Sequence, residues 1–299
     1  MNDPLPSWRE GPVKKQLVDG LRTLVRDTPP SARIATFDND GTLWCEQPNS
    51  VQAFFVQARW REMAALDPDL AQQEPYRSAA LADPHHVADL FGDVKGMATA
   101  AAAAYQGYTV QEFAASARHF LDTAVHPHFD TPFTRLTYRP MRELMDLLRD
   151  NGFTVFVTAP VGRDLVRVVA AEVFDLPAHQ VIGSALALEY VDDALRHRNR
   201  LNQPLAEGAW KVVHIYERTG HLPAFAAGNA DGDVEMLQAA SFALLLHHDD
   251  GQREYAYHTN AELARAIAPE SGWLEASMRD DFAEVFDPEM VDAVVATAR

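Results

Sequence analysis

The chain has 299 residues, 47% of them hydrophobic, enough to bury a full core in one large domain or two smaller ones. Its 43 acidic residues outnumber 26 basic ones, for a formal net charge of -17 at pH 7. That balance argues against a nucleic-acid partner, which needs a basic footprint, and against docking on an anionic membrane.

A single cysteine, Cys45, excludes an internal disulfide and a cysteine metal cluster, and fits a reducing, cytoplasmic setting. The N-terminal stretch MNDPLPSWREGPVKKQL lacks the apolar centre of a signal peptide. No run approaches the roughly 18 apolar residues needed to cross a bilayer.

In chain order, Val13 to Asp27 has helical apolar periodicity and stops at Thr28-Pro29-Pro30. Ser31 to Phe37 reads as a short buried strand, followed at once by the polar stretch DNDGT. From about Cys45 the texture turns alanine-rich and helical, in SVQAFFVQARWREMAAL, HHVADLFGDVKGMATAAAAAY and TVQEFAASARHFLDTAV, with no strand pattern. TYRPMRELMDLLRDNG is a helix with glycine just past its end, leading into the apolar, β-branched strand FTVFVTAP.

A helix is expected at Arg163 to Phe174, extended segments around Val181 to Tyr190, and a helix at Glu207 to Thr219. Strand PAFAAG, helix DVEMLQAA and strand SFALLLHH follow, and the segment from about Met278 reads as a C-terminal helix on the core. Fully apolar strands alternating with helices predict a parallel sheet covered on both faces. The expected fold is therefore α/β, a Rossmann-like core of residues 1–44 and 148–299 with a helical cap, 45–147, inserted after the first core strand.

In such sheets ligands bind at the carboxyl ends of the strands. The first strand ends in Asp38-Asn39-Asp40-Gly41-Thr42, the second in Thr158, and a later one in Gly228-Asn229-Ala230-Asp231-Gly232-Asp233, while an intervening helix carries Lys211. Two carboxylates, a hydroxyl, a lysine and a second acidic cluster suit metal-assisted phosphoryl transfer. One carboxylate can attack phosphorus, a second can move the proton, and the lysine, hydroxyl and a hard cation can balance phosphoryl charge.

Plainer readings compete. An EF-hand needs glycine sixth and glutamate twelfth in its loop, where this chain has Leu43 and Asn49. Taken alone, D-G is a common turn, Thr158 a strand-end cap, Lys211 a solvated helix lysine and GNADGD an N-terminal helix turn. Their order along the chain favours a site.

That order, D-x-D-G-T, then threonine, lysine and G-N-x-D-G-D, resembles the haloacid dehalogenase superfamily, in its phosphoserine-phosphatase-like subgroup with a helical cap. The resemblance makes Asp38 the nucleophile and Asp40 the general acid/base, an acid that phosphatases have there and dehalogenating members lack. It puts Thr158 on the phosphoryl group, Lys211 against the nucleophile, Thr42 and Ala159 in the substrate-binding loops, and Mg2+ at Asp38, Asp40, Asn229 and Asp233.

Two positions depart from the pattern. Thr158-Ala159-Pro160 replaces the common serine-glycine-glycine, and Asn229 replaces an acid, leaving Asp231 or Asp233 to compensate. In LLLHHDDGQREYAY, His247, His248, Asp249 and Arg253 are candidates to border the site, Arg253 as a substrate contact. So are the cap residues His85, His86, Tyr105, Tyr108, Arg118 and His119, while Cys45 reads as a packed thiol.

The implied activity is Mg2+-dependent hydrolysis of a small phosphorylated metabolite through an aspartyl-phosphate. The alternatives are a phosphotransferase on the same core, or a non-catalytic binding or scaffold protein with a degenerate metal site.

Overall fold

The computed structural model describes residues 3–202 and 204–287. Helix α1 (Pro12–Asp27) starts on a proline in its first turn, whose missing N–H would have no helical partner there anyway. Strand β1 (Ile34–Asp38) follows, every residue buried. Five α-helices intervene before the next strand, the first four being α2 (Val51–Leu66), α3 (Tyr76–Leu81), α4 (Val94–Ala104) and α5 (Val110–Thr123). The expected helical run from His85 to Tyr105 is divided: residues 84–90 form a 3-10 segment and α4 begins only after Asp93, whose side chain caps it. Helix α5 opens with a full capping box between Thr109 and Glu112.

These helices share an aromatic cluster. Phe55 stacks on Tyr105 at 4.9 Å between centroids and meets Phe113 and Phe120 at 5.7 and 5.3 Å. Tyr105 therefore belongs to the packing of the helices.

Helix α6 (Arg139–Asp150) packs against strand β2 (Thr154–Ala159), and α7 (Arg163–Val173) leads to the short β3 (Val181–Gly183). Two strands then form an antiparallel hairpin outside the main sheet, β4 (Leu186–Val191) and β5 (Ala194–Leu201). β5, ALRHRNRL, has too little apolar character to announce itself in the sequence. The hairpin is held by the α4–α5 turn: Gly107 N–H donates to the His197 carbonyl at 2.8 Å, and His197 N–H to Tyr108 at 2.7 Å.

Helix α8 (Ala209–Thr219), β6 (Phe225–Gly228), α9 (Val234–Ala239) and β7 (Phe242–His247) follow as the alternation predicts. Two further elements were not expected, α10 (Glu262–Ser271) and β8 (Leu274–Ser277). The C-terminal expectation is corrected. α11 (Met278–Asp281) is a single turn, after which Phe282, Val285 and Phe286 are buried without a helix, and the rest of that expected helix lies outside the described residues.

The main sheet has the order β3-β2-β1-β6-β7-β8, with every pair parallel. Alternation along the strands divides its faces. Ile34, Phe156, Ala226 and Leu245 pack on α8, α9 and α10, through Ile215, Met236 and Ala264 among others. Ala35, Phe37, Val157 and Leu244 join the larger core with α1, α6, α7 and the inserted helices. Register sets Asp38 beside Thr158 and Phe37 beside Ala227, so the polar residues after β1, β2 and β6 come to one rim. Among the described residues, no helix is long and apolar enough to cross a membrane.

Phe55 is 1% exposed at the centre of the aromatic cluster. Truncating it in Phe55→Ala removes ring contacts with three partners, and the expected loss is about 3–5 kcal/mol in chemical denaturation.

Candidate active site

The turn after β1 is tight. Leu43 N–H donates to the Asn39 carbonyl at 2.9 Å, and Gly41 N–H to Trp44 at 2.9 Å. Gly41 has φ +74, and an added Cβ there would lie 2.2 Å from Asn229 Nδ2 and 2.5 Å from Glu46 Oε1. Only glycine lets those two side chains close on the turn.

At the strand end Asp38 is buried, and its Oδ1 accepts from Lys211 Nζ at 2.7 Å. The same ammonium donates to Asp233 Oδ1 at 2.5 Å. Asp233 Oδ2 accepts from the backbone amides of Asn229 at 3.0 Å and Ala230 at 3.1 Å. Burial alone would lower the Lys211 ammonium, but Asp233 and Asp38 outweigh it and hold it above the ordinary lysine value. Burial, with Asp233 close by, pushes Asp38 well above the usual carboxylate range in spite of Lys211.

Asp40 Oδ1 accepts from the Trp44 indole at 2.5 Å and from Asn39 Nδ2 at 3.0 Å. Burial raises this carboxyl too, against the pull of those two donors. Asp40 is thus fixed by its own turn, independently of Lys211.

Asp38, Asp40, Lys211 and Asp233 open on one cavity of about 850 Å³ between the strand ends and the inserted helices. Its wall includes Asp38, Asp40, Glu46, Asp93, Glu207, Asp231 and Asp233 against Lys95 and Lys211. A phosphate ester entering this field meets net repulsion unless a cation accompanies it.

Several expected site residues take other positions. Thr158 stands beside Asp38, but its hydroxyl donates to the Phe37 carbonyl at 3.2 Å and is fully buried, while Pro160 and Val161 line the cavity. Ala159 is likewise buried at the end of β2. Thr42 lies inside the turn, donating to Asn229 Oδ1 at 2.9 Å. Asp231 Oδ1 accepts from Ala264 N–H at 2.9 Å, across the start of α10.

Arg253 is not brought to the cavity. Its guanidinium pairs with Asp250 and donates to the carbonyls of Met278 at 2.6 Å and Phe282 at 2.9 Å, fastening the C-terminal segment. His247 bonds Glu275 at 2.7 Å and Asp249 bonds Ser277 at 2.7 Å, so both secure β8.

Of the insert candidates, Arg118 pairs with Asp122 and with Glu172 at 2.7 Å. Tyr108 lies under the Arg59 guanidinium, and His119 lines a separate cavity. The side chains of His85 and His86 lie outside the described part. The insert faces the site instead through Asn49, Ser50, Ala53, Phe91, Asp93, Lys95 and Met97.

One group, Glu46, escaped the sequence reading, whereas His248, a candidate to border the site, is brought against the turn after β1. Glu46 accepts from Tyr257 OH at 2.6 Å and from Asn229 Nδ2 at 3.1 Å on the same oxygen. His248 donates from Nε2 to the Gly41 carbonyl at 2.6 Å and from Nδ1 to Glu254 at 3.2 Å. Burial opposes its charge, but Glu254 and Glu46 raise the imidazole above its ordinary value. The sequence signal for His248 was the density of ionisable residues in HHDDGQREYAY, which follows a strand that ends on the site's rim; Glu46 lies outside that segment.

A family model described as haloacid dehalogenase-like hydrolase matches residues 35–238, and the chain belongs to that family. No curated protein matches it. Among solved structures, a functionally unknown protein from Anaerococcus prevotii DSM 20548 is 14% identical with a TM-score of 0.57, covering 90% of this chain and 95% of that one. A cytosolic 5'-nucleotidase IIIB bound to cytidine is 12% identical with a TM-score of 0.47, covering 95% and 91%. A phospho-aspartyl intermediate analogue of phosphoserine phosphatase is 13% identical with a TM-score of 0.43, covering 88% and 98%.

The family implies a hard divalent cation. Among the described residues, no three carboxylate, imidazole or thiol side chains are grouped to hold a metal ion on their own. Carbonyl oxygens, from the Asp40 backbone and the Asn229 amide, can complete a set begun by Asp38. All of these are oxygen donors, and Mg2+ takes few protein ligands and keeps several waters, so the donor set fits it.

Lys211→Met leaves Asp38 and Asp233 facing each other without a cation in a buried site. The expected cost is about 3–5 kcal/mol, read as a shift of the urea midpoint, because an unpaired buried charge remains.

Proposed function

We propose that this chain is a Mg2+-dependent phosphatase that hydrolyses a small phosphorylated metabolite in the cytoplasm through an aspartyl-phosphate. The observation that carries the reading is the Lys211–Asp38 contact at 2.7 Å on the wall of the cavity, with Asp40 two residues on. Lys211 holds Asp38 Oδ1, which leaves Oδ2 as the attacking atom. In the first step Oδ2 bonds to phosphorus, the bond to the leaving oxygen breaks, and Asp40 supplies the proton to that oxygen. A raised Asp40 suits this role, since it must hold a proton near neutral pH.

In the second step Asp40 takes a proton from water as the water oxygen attacks phosphorus, releasing phosphate and restoring Asp38. Lys211 balances the charge of the Asp38 carboxylate between turnovers, and Asp233 fixes Lys211. Both oxygens of Asp233 are engaged, one by Lys211 and the other by two amides, whereas Asn229 Oδ1 accepts from Thr42 and keeps a second lone pair for the cation, which makes it the better direct donor. Bound Mg2+ supplies positive charge to the phosphoryl oxygens within an otherwise acidic cavity.

Thr158 serves this site through the backbone of β1, positioning Asp38, in place of a direct phosphoryl contact. The helices between β1 and β2 act as a cap that excludes water and selects the leaving group, with Phe91, Lys95 and Met97 as its facing residues.

The test is hydrolysis of an aryl phosphate and a panel of small phosphate esters, with and without Mg2+. Wild type is expected to release inorganic phosphate only with Mg2+. Asp38→Asn should fall by about 10⁴-fold or more in kcat, as loss of a nucleophile does. Asp40→Asn should lose about 10²–10⁴-fold. Absence of Mg2+-dependent turnover across the panel sinks the reading. Transfer of phosphate to an added alcohol in preference to water would make the chain a phosphotransferase.

A further inference from the structure

Glu46 lies on the cavity wall within hydrogen-bond reach of Asn229, yet none of the sequence motifs contains it. Four side chains form a line here. Thr42 Oγ1 donates to Asn229 Oδ1 at 2.9 Å, Asn229 Nδ2 donates to Glu46 Oε1 at 3.1 Å, and Tyr257 OH donates to the same Oε1 at 2.6 Å. Glu46 Oε1 only accepts, so it fixes which way the Asn229 amide turns, nitrogen toward Glu46 and oxygen toward the nucleophile turn. Gly41, with no side chain, lets both groups close against that turn.

Charge makes the arrangement more than a brace. Lys211 is already committed to Asp38 and Asp233, while among the described residues no lysine or arginine bonds Glu46 or Asp40, which border the same cavity. Holding these carboxylates partly out of water is costly even with the His248 imidazole near Glu46, an expensive choice for packing alone.

We infer that Glu46 is a positioning residue for the divalent cation: it holds the Asn229 carbonyl in the ligating orientation and supplies, one side chain away, the negative charge that an acid at 229 would bring. The inference rests on the Mg2+-dependent reading above. It makes the neutral Asn229 one half of a divided ligand, the oxygen on one residue and the charge on the next.

The experiment is Mg2+ binding by titration calorimetry at pH 8, which needs no turnover, on wild type and three variants checked for folding by circular dichroism and thermal unfolding. Glu46→Gln keeps an acceptor for the Asn229 amide but removes the charge. It is expected to weaken Mg2+ binding about 10-fold or more, the scale of outer-shell losses. The double variant Glu46→Gln/Asn229→Asp returns the charge one residue over and should recover affinity to within about threefold of wild type, on the same scale. Tyr257→Phe frees Glu46 on one side and should weaken binding by a smaller factor.

Glu46→Gln binding Mg2+ as tightly as wild type overturns the inference. So does a double variant no tighter than Glu46→Gln alone. If wild type itself takes up no Mg2+, the cation reading fails and this inference goes with it; if wild type binds and Glu46→Gln is unaffected, only this inference fails.

Discussion

Lys211 places one ammonium between the carboxylates of Asp38 and Asp233, all three nearly sealed from solvent. Each member comes from a different part of the chain: the end of β1, the first turn of α8, and the turn that opens α9. Taking any of these charges out of water is costly, and the cost is offset only while the three stay together. The parallel sheet meets this demand because its register brings the ends of β1 and β6 to one edge. Further amides then complete the coordination of Asp233. The triad thus ties sheet, helix and loop together, and it sets Asp38 with one oxygen held.

Around this anchor the remaining polar groups are arranged in separate systems. Asp40 is held by Trp44 and Asn39, within its own turn. The underside of the turn is held by His248, whose two nitrogens face the Gly41 carbonyl and Glu254, with Tyr138 donating to Glu254 at 3.0 Å. Asn229, Thr42, Glu46 and Tyr257 form the third system. The systems use different hydrogen-bond partners, and the second and third meet where the Tyr257 ring stacks on His248 at 4.3 Å between centroids.

Much of this was legible in the sequence. IATFDNDGT announced a buried strand ending in chemistry, and FTVFVTAP, PAFAAG and SFALLLHH marked further strands because parallel strands are apolar on both faces. β5 was missed because an exposed hairpin has no such requirement and carries four charged or histidine residues in eight. β8, LEAS, is an edge strand of four residues and too short to show a period. The Asp38, Lys211 and Asp233 contacts follow the order of the motifs, since those spacings place all three on one rim. Thr158 and Arg253 show the limit: a position at a strand end or in a polar loop does not say whether the side chain turns to the cavity or to a neighbouring carbonyl. Glu46 was hidden for a different reason, because its partners Asn229 and Tyr257 are distant in sequence and meet only through the fold.

The β4–β5 hairpin bears on how the inserted helices can move. They leave the core after β1 and return before α6, and two such crossings alone define an axis about which a rigid body can swing. The hairpin belongs to the core half of the chain, yet its backbone is bonded to the α4–α5 turn at Gly107 and Tyr108, away from both crossings. A third attachment off the axis removes that freedom. The helices can open only by carrying the hairpin with them or by parting those two hydrogen bonds together with the Arg196 bond to the Gly107 carbonyl at 3.0 Å, and in either case the Arg118–Glu172 pair that joins α5 to α7 must give.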